Sequence, residues 1–481
     1  MYDVLSSDAN SFIDHDEVTA SLGEGKRLAA SSDAIDSILD KAKAFKGLSH
    51  REAAVLMEVT DPGTLEKIFA LARQVKEHIY GQRIVMFAPL YLSDYCVNSC
   101  TYCGYSKNNK SAARRKLTQE ELREEVLTLE KLGHKRLALE AGEDPANCPL
   151  DYVLECINTI YGLKFENGAI RRVNVNVAAT TLEDYRRLKD ASIGTYILFQ
   201  ETYHKPTYLE VHPKGPKHNY EWHTEAHDRA MLAGIDDVGL GVLYGLYDWK
   251  YDTTALLMHA EHLEAARGVG PHTISVPRLR TAAGMAPGDF PYLVSDAHFK
   301  QLVATLRLAV PYTGMILSTR EPSDFRREVI AVGISQVSAG SCTGVGGYAS
   351  SAKLEKETEY ATNCAALLQF EPEDRRSPTE VLKALLADGY LPSYCTACYR
   401  EGRTGDRFMQ LAKSGQIANV CQANAILTLQ EYLIDYGDAE LNELGEQVIR
   451  RELDAMPNKK AREKTLEMLA MIKNGTRDLR F

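Results

Sequence analysis

Cysteine is the residue type that first suggests chemistry, and six of the ten cysteines fall into two trios. Cys96, Cys100 and Cys103, in PLYLSDYCVNSCTYCGYS, follow the spacing C-x3-C-x2-C, with Tyr102 just before the last of them. Cys395, Cys398 and Cys421 follow C-x2-C-x22-C, almost three hundred residues later. Three thiolates close together suit either a zinc site or an iron–sulfur cluster. Structural zinc wants a fourth protein ligand. No His or further Cys lies near the first loop, and the last histidine of the chain, His298, is remote from the second trio. A [4Fe–4S] cube on three cysteines leaves one iron without a protein ligand, a place for a substrate or cofactor much like the free position of a catalytic metal. For the second trio a thioredoxin-like C-x-x-C is the alternative; the third cysteine and a helical setting argue against it. Cys148, Cys156, Cys342 and Cys364 are scattered and read as small buried hydrophobes.

The trios must be held by the elements around them. Thr64 to Tyr80 follows the breaker Asp61-Pro62-Gly63 and carries Leu65, Ile68, Phe69, Ala72, Val75 and Ile79 at helical spacing, so residues 1–80 read as an N-terminal helical extension. From Arg83 onward, short apolar strands alternate with longer amphipathic segments. The strands are expected at 83–90, 136–142, 171–179, 195–201, 237–245, 272–277, 315–319 and 335–340. The intervening helices are expected near 118–132, 151–162, 182–190, 221–233, 253–267, 295–309 and 322–332. Eight strands with a helix in each gap predict an α/β fold, a parallel (β/α)8 TIM barrel over 81–345, in preference to an open doubly wound sheet. The first cysteine loop follows the first strand, and active sites of such barrels sit on the loops at the carboxyl ends of strands. Gly239, Gly241 and Gly245 mimic a dinucleotide-binding pattern, but without a phosphate-binding helix at the right spacing they read as close packing. Past Gly347 the alternation stops. Ser377-Pro378-Thr379-Glu380 offers an N-cap, a proline at the first helical position and a capping glutamate, and 346–481 reads as a helical C-terminal domain carrying the second trio.

Composition bounds the rest. At 44% apolar and 25% charged over 481 residues, the chain is an ordinary globular protein with room for two or three compact units. A formal charge of −10 argues against nucleic acid as the main partner. The longest apolar run, 84–92, is too short to cross a bilayer. The acidic start, MYDVLSSDANSFIDHD, lacks the basic flank of a signal peptide, so a cytoplasmic location and reduced thiols are expected.

A barrel with C-x3-C-x2-C after its first strand resembles the radical S-adenosylmethionine enzymes, over the whole of 80–345. In that family the open iron chelates the amino and carboxylate groups of S-adenosylmethionine, and reduction of the cluster breaks the sulfonium C–S bond to yield a 5′-deoxyadenosyl radical. The resemblance implies cofactor contacts from Tyr102, and from Gly142 and Glu143 in Ala141-Gly142-Glu143, the element that meets the methionine amino group. It implies further contacts from Glu201 in FQETYH and Arg229 in DRAMLAGIDDVGLG, toward the ribose or carboxylate. A bound zwitterion does need an acceptor for its ammonium and a guanidinium for its carboxylate.

The two trios together, with CTACYREGRTGDRFM, look like the tyrosine lyases that mature [FeFe]-hydrogenase, over essentially the full length. A tyrosine lyase of the thiazole pathway shares the barrel and the STRE and SAG segments but lacks the cysteine-bearing tail. The resemblance implies cleavage of the Cα–Cβ bond of L-tyrosine to p-cresol and dehydroglycine, with dehydroglycine then converted to carbon monoxide and cyanide on iron. It implies a second [4Fe–4S] cluster carrying an additional dangler iron, with His272 in VGPHTISVP as that iron's ligand. It also implies an electron donor of the ferredoxin or flavodoxin type and other hydrogenase maturation proteins as partners. A free amino acid needs a cation for its carboxylate. Arg320 in ILSTREP and Arg278 in SVPRLR end the seventh and sixth strands, and both are expected to face the mouth, as the grip on that carboxylate or as a structural ion pair there. Ser338 and Ser341 in SAGS are expected to line the substrate cavity. Dehydroglycine hydrolyses in water, so the barrel lumen is expected to join the mouth to the tail cluster. The competing readings are the thiazole-pathway lyase, with one cluster, and an iron–sulfur scaffold or carrier.

Overall fold

The computed structural model of the chain describes residues 1–111, 113–354 and 367–481. Eight parallel strands close into a barrel: β1 (Arg83–Ser93), β2 (Arg136–Ala141), β3 (Arg172–Asn176), β4 (Tyr196–Ile197), β5 (Val238–Gly241), β6 (Thr273–Ser275), β7 (Gly314–Leu317) and β8 (Gln336–Ser338). Each pairs with the next, and β1 pairs with both β2 and β8. The strands are buried on both faces, as a parallel sheet wrapped in helices requires. The expected helices fill the gaps. Several start on side-chain caps, such as Thr118, whose hydroxyl accepts from the Glu121 amide while Glu121 answers the Thr118 amide.

The glycines of β5 serve packing. A Cβ on Gly241 would stand 2.4 Å from the Phe199 ring, and one on Gly239 would stand 2.6 Å from Thr273 Oγ1. Neither precedes a phosphate-binding turn.

The N-terminal helices, from Ala9–Phe12 to Pro62–Tyr80, cover the helices Trp249–Arg267 and Asp296–Ala309. Pro62 takes the first helical position behind the Asp61 cap. Polar contacts fix the seam: Gln301 Nε2 donates to the carbonyls of Leu56 and Val59 at 2.9 Å each, and His50 bridges Glu17 and Glu261.

The tail departs from the all-helical expectation. Leu391–Ser393 is a ninth strand, β9, parallel to the start of β1, with Arg83 opposite Leu391 and Val85 opposite Ser393. It follows the helix Pro378–Ala387, capped by Ser377 and Glu380, and Gly389 makes the left-handed turn between them at φ +80°. Helix Ile417–Tyr436 is buried over most of its length because β9 and the helices Ala439–Asp454 and Lys459–Lys473 pack around it. Charges tie this tail to the barrel: Arg171 reaches Glu431 at 2.8 Å and Asp478 at 3.1 Å. One hydrophobic core runs from Ala9 through the barrel to Ile472. Cys148 and Cys156 are buried free thiols. Cys342 is buried but joined in a disulfide, contrary to the expected reduced thiol; Cys364 lies outside the described residues. Among the described residues no helix is long and apolar enough to cross a membrane.

Candidate functional site

The first cysteine loop leaves the carboxyl end of β1 and is pinned on two sides. The amide of Val97 donates to the Glu143 carbonyl at 2.8 Å, that of Ser99 to Lys214 at 3.0 Å and that of Thr101 to Val211 at 3.0 Å. Cys96, Cys100 and Cys103 all line a cavity of about 210 Å³ at the barrel mouth. Burial pushes the Cys103 thiol up to about 11 and raises Cys100 as well, so both are neutral until a metal displaces their protons. The Tyr105 amide already points at Cys103 Sγ, 3.4 Å away.

Tyr102, Gly142, Glu143 and Glu201 line the same cavity. Asn98 Nδ2 donates to one Glu143 oxygen at 2.6 Å, and burial raises the carboxyl above its ordinary range. A Cβ on Gly142 would lie 2.3 Å from the Tyr95 carbonyl oxygen, so only a bare backbone passes under the cysteine loop there. Glu201 sits at φ +69° and receives Lys217 Nζ at 2.7 Å. The Tyr102 hydroxyl is 2.7 Å from His212 Nε2, while His212 Nδ1 donates to the Tyr208 carbonyl at 2.8 Å. That tautomer makes Nε2 the acceptor, and burial keeps the ring neutral.

The two candidate arginines part company. Arg320 lines the cavity with its guanidinium 3.5 Å from the Phe370 ring centre, and among the described residues no carboxylate pairs with it. Arg278, expected to face the mouth, is held elsewhere: its Nε donates to Glu321 at 3.0 Å, its Nη1 meets Asp296 at 2.8 Å, and it packs on Phe299 and Phe325. Arg229 also stands outside the cavity wall. It stacks on Trp222 at 3.7 Å and donates through Nε to the Thr180 carbonyl at 3.1 Å. Ser338 and Ser341 both line the mouth, and Ser341 Oγ is buried with no hydrogen-bond partner.

The wall also holds groups that sequence reasoning missed. Glu140 and Asn176 project inward from β2 and β3, and burial pushes the Glu140 carboxyl up to about 8. The alternation in RLALEAG carries that signal: Ala138 and Glu140 share one face. Lys217 lies in a loop that gives no sequence clue.

The second trio lies at the opposite end of the barrel. Cys395 and Cys398 line a small cavity of about 50 Å³ together with Arg83, Arg136, His272 and Gln336, which stand at or just before the starts of β1, β2, β6 and β8. The Ala397 amide points at Cys395 Sγ, 3.4 Å away, repeating the amide-to-sulfur arrangement of the first loop. Cys421 comes from the helix behind and packs beside Cys398 against Phe408 and Ile417. A hydrogen bond from Cys421, with help from Arg403 and Arg83, holds the Cys398 thiol below its ordinary range. The His272 side chain is 13% exposed, and desolvation holds its pKa below the ordinary value; its Nδ1 is 3.6 Å from Asp237.

Strand periodicity relates the two cavities. On β2, Arg136 lines the floor cavity while Ala138 and Glu140 line the mouth; on β8, Gln336 lines the floor and Ser338 the mouth. Side chains two apart on a strand point the same way, so the cavities are stacked along the barrel axis. Among the described residues no three His, Cys, Asp or Glu side chains converge tightly enough to hold a single metal ion.

Residues 90–259 match the Radical SAM superfamily, and residues 275–391 match the Biotin and Thiamin Synthesis associated domain. The chain is 35% identical to a 2-iminoacetate synthase of Salmonella typhimurium, across 74% of this chain and 89% of that protein. Among solved structures, it is 59% identical to one described as HydG, a maturase of the [FeFe]-hydrogenase, with a TM-score of 0.93 over 98% of this chain and 100% of that one. It is 38% identical to the HydG maturase from Carboxydothermus hydrogenoformans, with a TM-score of 0.81 over 96% of this chain and 99% of that one.

Proposed function

The chain belongs to the radical S-adenosylmethionine superfamily and, within it, to the HydG family; from that premise we propose that it is a tyrosine lyase of [FeFe]-hydrogenase maturation. It cleaves L-tyrosine to p-cresol and dehydroglycine at the mouth, and dehydroglycine becomes carbon monoxide and cyanide at the floor. The observation that carries this reading is one cysteine trio on the mouth cavity and a second, with Cys395 and Cys398 on the floor cavity and Cys421 packed behind them, at the other end of the same barrel.

The residues at the mouth fit the superfamily's cofactors. Cys96, Cys100 and Cys103 would hold a [4Fe–4S] cluster, and the Gly142–Glu143 segment would receive the ammonium of S-adenosylmethionine. The bare backbone at Gly142 and the free second oxygen of Glu143 leave room for such a guest. When bound, the cluster and S-adenosylmethionine supply an adenosyl radical that removes hydrogen from the substrate. Arg320 would grip the tyrosine carboxylate, since its guanidinium lines the cavity and among the described residues no carboxylate pairs with it. Lys217 holds Glu201, and Tyr102 braces the loop through His212. Ser338 and Ser341 offer hydroxyls to the tyrosine. For Arg278 and Arg229 the geometry supports structural roles.

At the floor, Cys395, Cys398 and Cys421 would hold the second cluster and His272 the additional iron. The unit from about residue 346 onward would serve that site. The lumen would carry dehydroglycine between the two, protected from water. A ferredoxin- or flavodoxin-type reductant and other maturation proteins would complete the system.

The thiazole-pathway reading rests on the similarity to 2-iminoacetate synthase, but it leaves the tail trio and its cavity without a task. Anaerobic incubation with labelled tyrosine, S-adenosylmethionine and a reductant tests the choice. Cresol together with iron-bound labelled carbonyl supports the maturase; cresol alone supports the thiazole-pathway enzyme; neither supports a carrier.

A further inference from the structure

The floor of the barrel gathers guanidiniums that, among the described residues, no carboxylate pairs with directly. Arg83, Arg136 and Arg172 begin β1, β2 and β3, and Arg136 lies directly opposite Arg172 in the sheet register. The Nε of each is buried with no hydrogen-bond partner, and among the described residues no carboxylate forms an ion pair with any of them. Arg136 and Arg172 lie over the Tyr399 ring, 5.1 and 3.7 Å from its centre, next to the ligand candidate Cys398. Arg83 and Arg136 line the cavity itself, and Arg136 is only 5% exposed.

A buried guanidinium without a counter-ion costs several kcal/mol. The trio of thiolates, bound to an iron–sulfur cube whose core is positive, answers only part of that charge. Asp237 faces His272 and the Gly405 amide and also bears on Arg172, a single carboxylate against the three guanidiniums. The surplus positive charge is therefore available to a guest. A guanidinium's planar fork matches a carboxylate in two parallel hydrogen bonds, and Arg83 and Arg136 stand on the same cavity wall as Cys395, Cys398 and His272.

We propose that Arg83 and Arg136 form a carboxylate-receiving subsite beside the tail cysteines, which captures a two-carbon carboxylate arriving through the barrel. The proposal rests on the tyrosine-lyase reading for the origin of that guest, dehydroglycine, while the subsite itself rests on the arginines. It gives the floor a means of retaining a small, hydrolysable fragment: the carboxylate is fixed at the arginines and the rest of the molecule is presented toward His272 and Cys398.

Glyoxylate, a stable two-carbon carboxylate, is the probe. Oxidised holoenzyme with both clusters reconstituted, saturated with S-adenosylmethionine and tyrosine so that the mouth is filled, is titrated with glyoxylate by calorimetry. Arg136→Gln and Arg83→Gln are each expected to weaken binding by about tenfold or more. Arg136→Lys, which keeps the buried charge, is expected to weaken it as well, because a point charge cannot grip both oxygens. Iron and sulfide contents equal to wild type establish that the variants are folded and loaded. In turnover, the ratio of glyoxylate released to carbon monoxide formed is expected to rise in Arg136→Gln. Wild-type protein that binds no glyoxylate, or fully loaded variants that bind it as wild type does, would overturn the subsite. Wild-type protein that binds glyoxylate but makes no p-cresol would overturn the tyrosine-lyase reading and leave the subsite standing.

Discussion

Arg320 and Arg278 look alike in the sequence, each closing a barrel strand, yet one faces a cavity unpaired and the other is locked between Glu321 and Asp296. The difference lies in partners up to 43 residues away along the chain, which no local pattern records. Their variants should therefore fail differently. Arg320→Gln is expected to raise the KM for tyrosine by about tenfold or more while the fold holds, measured by p-cresol formation. Arg278→Gln leaves Glu321 with Arg280 as its remaining partner and is expected to cost about 1.5–3 kcal/mol of stability, measured by denaturant unfolding. Glu140 supplies a pH signature. Its folded pKa of about 8 stands above the ordinary 4.5, so between those values the folded chain keeps a proton that the unfolded chain has released. Stability must then fall as pH rises through that window. Glu140→Gln removes the titration, so the variant's melting temperature is expected to gain on wild type between pH 5 and 8. A constant gap across that range would contradict the buried, protonated carboxyl.

The eight barrel strands and the helices between them were legible because each repeats a length and periodicity that physics restricts to few structures. β9 was not. Leu391-Pro392-Ser393 is three residues long and contains a proline, and it is a strand only because β1 offers it an edge. The cysteine spacings named both trios, but what places the second at the barrel floor is this docking, together with the clamp from Arg171 to Glu431 and Asp478. Glu431→Gln is expected to cost about 1.5–3 kcal/mol, the value of a charged hydrogen bond, because Asp478 still pairs with Arg171. Faster proteolytic nicking of the tail, with the barrel left intact, is the readout. Arg229 shows how little a helical segment says about its side chains: the segment is helical as expected, and the guanidinium stacks on Trp222.

At the scale of the whole molecule, one barrel presents thiolates at both ends, and alternate residues of the same strands line the space at each end. A barrel with chemistry only at its mouth would need no arginines and cysteines gathered at its floor, where residues ordinarily serve stability. Reconstituted protein is accordingly expected to hold about nine irons per chain, two cubes and one extra, against about four for a single-cluster lyase. The most direct test of two sites acting in sequence is a variant with Cys395, Cys398 and Cys421 all changed to Ala, given labelled tyrosine under turnover conditions. The account predicts that p-cresol formation persists while labelled carbon monoxide disappears. Carbon monoxide at the wild-type level, or equal loss of both products from a folded protein whose mouth cluster is loaded, would contradict it.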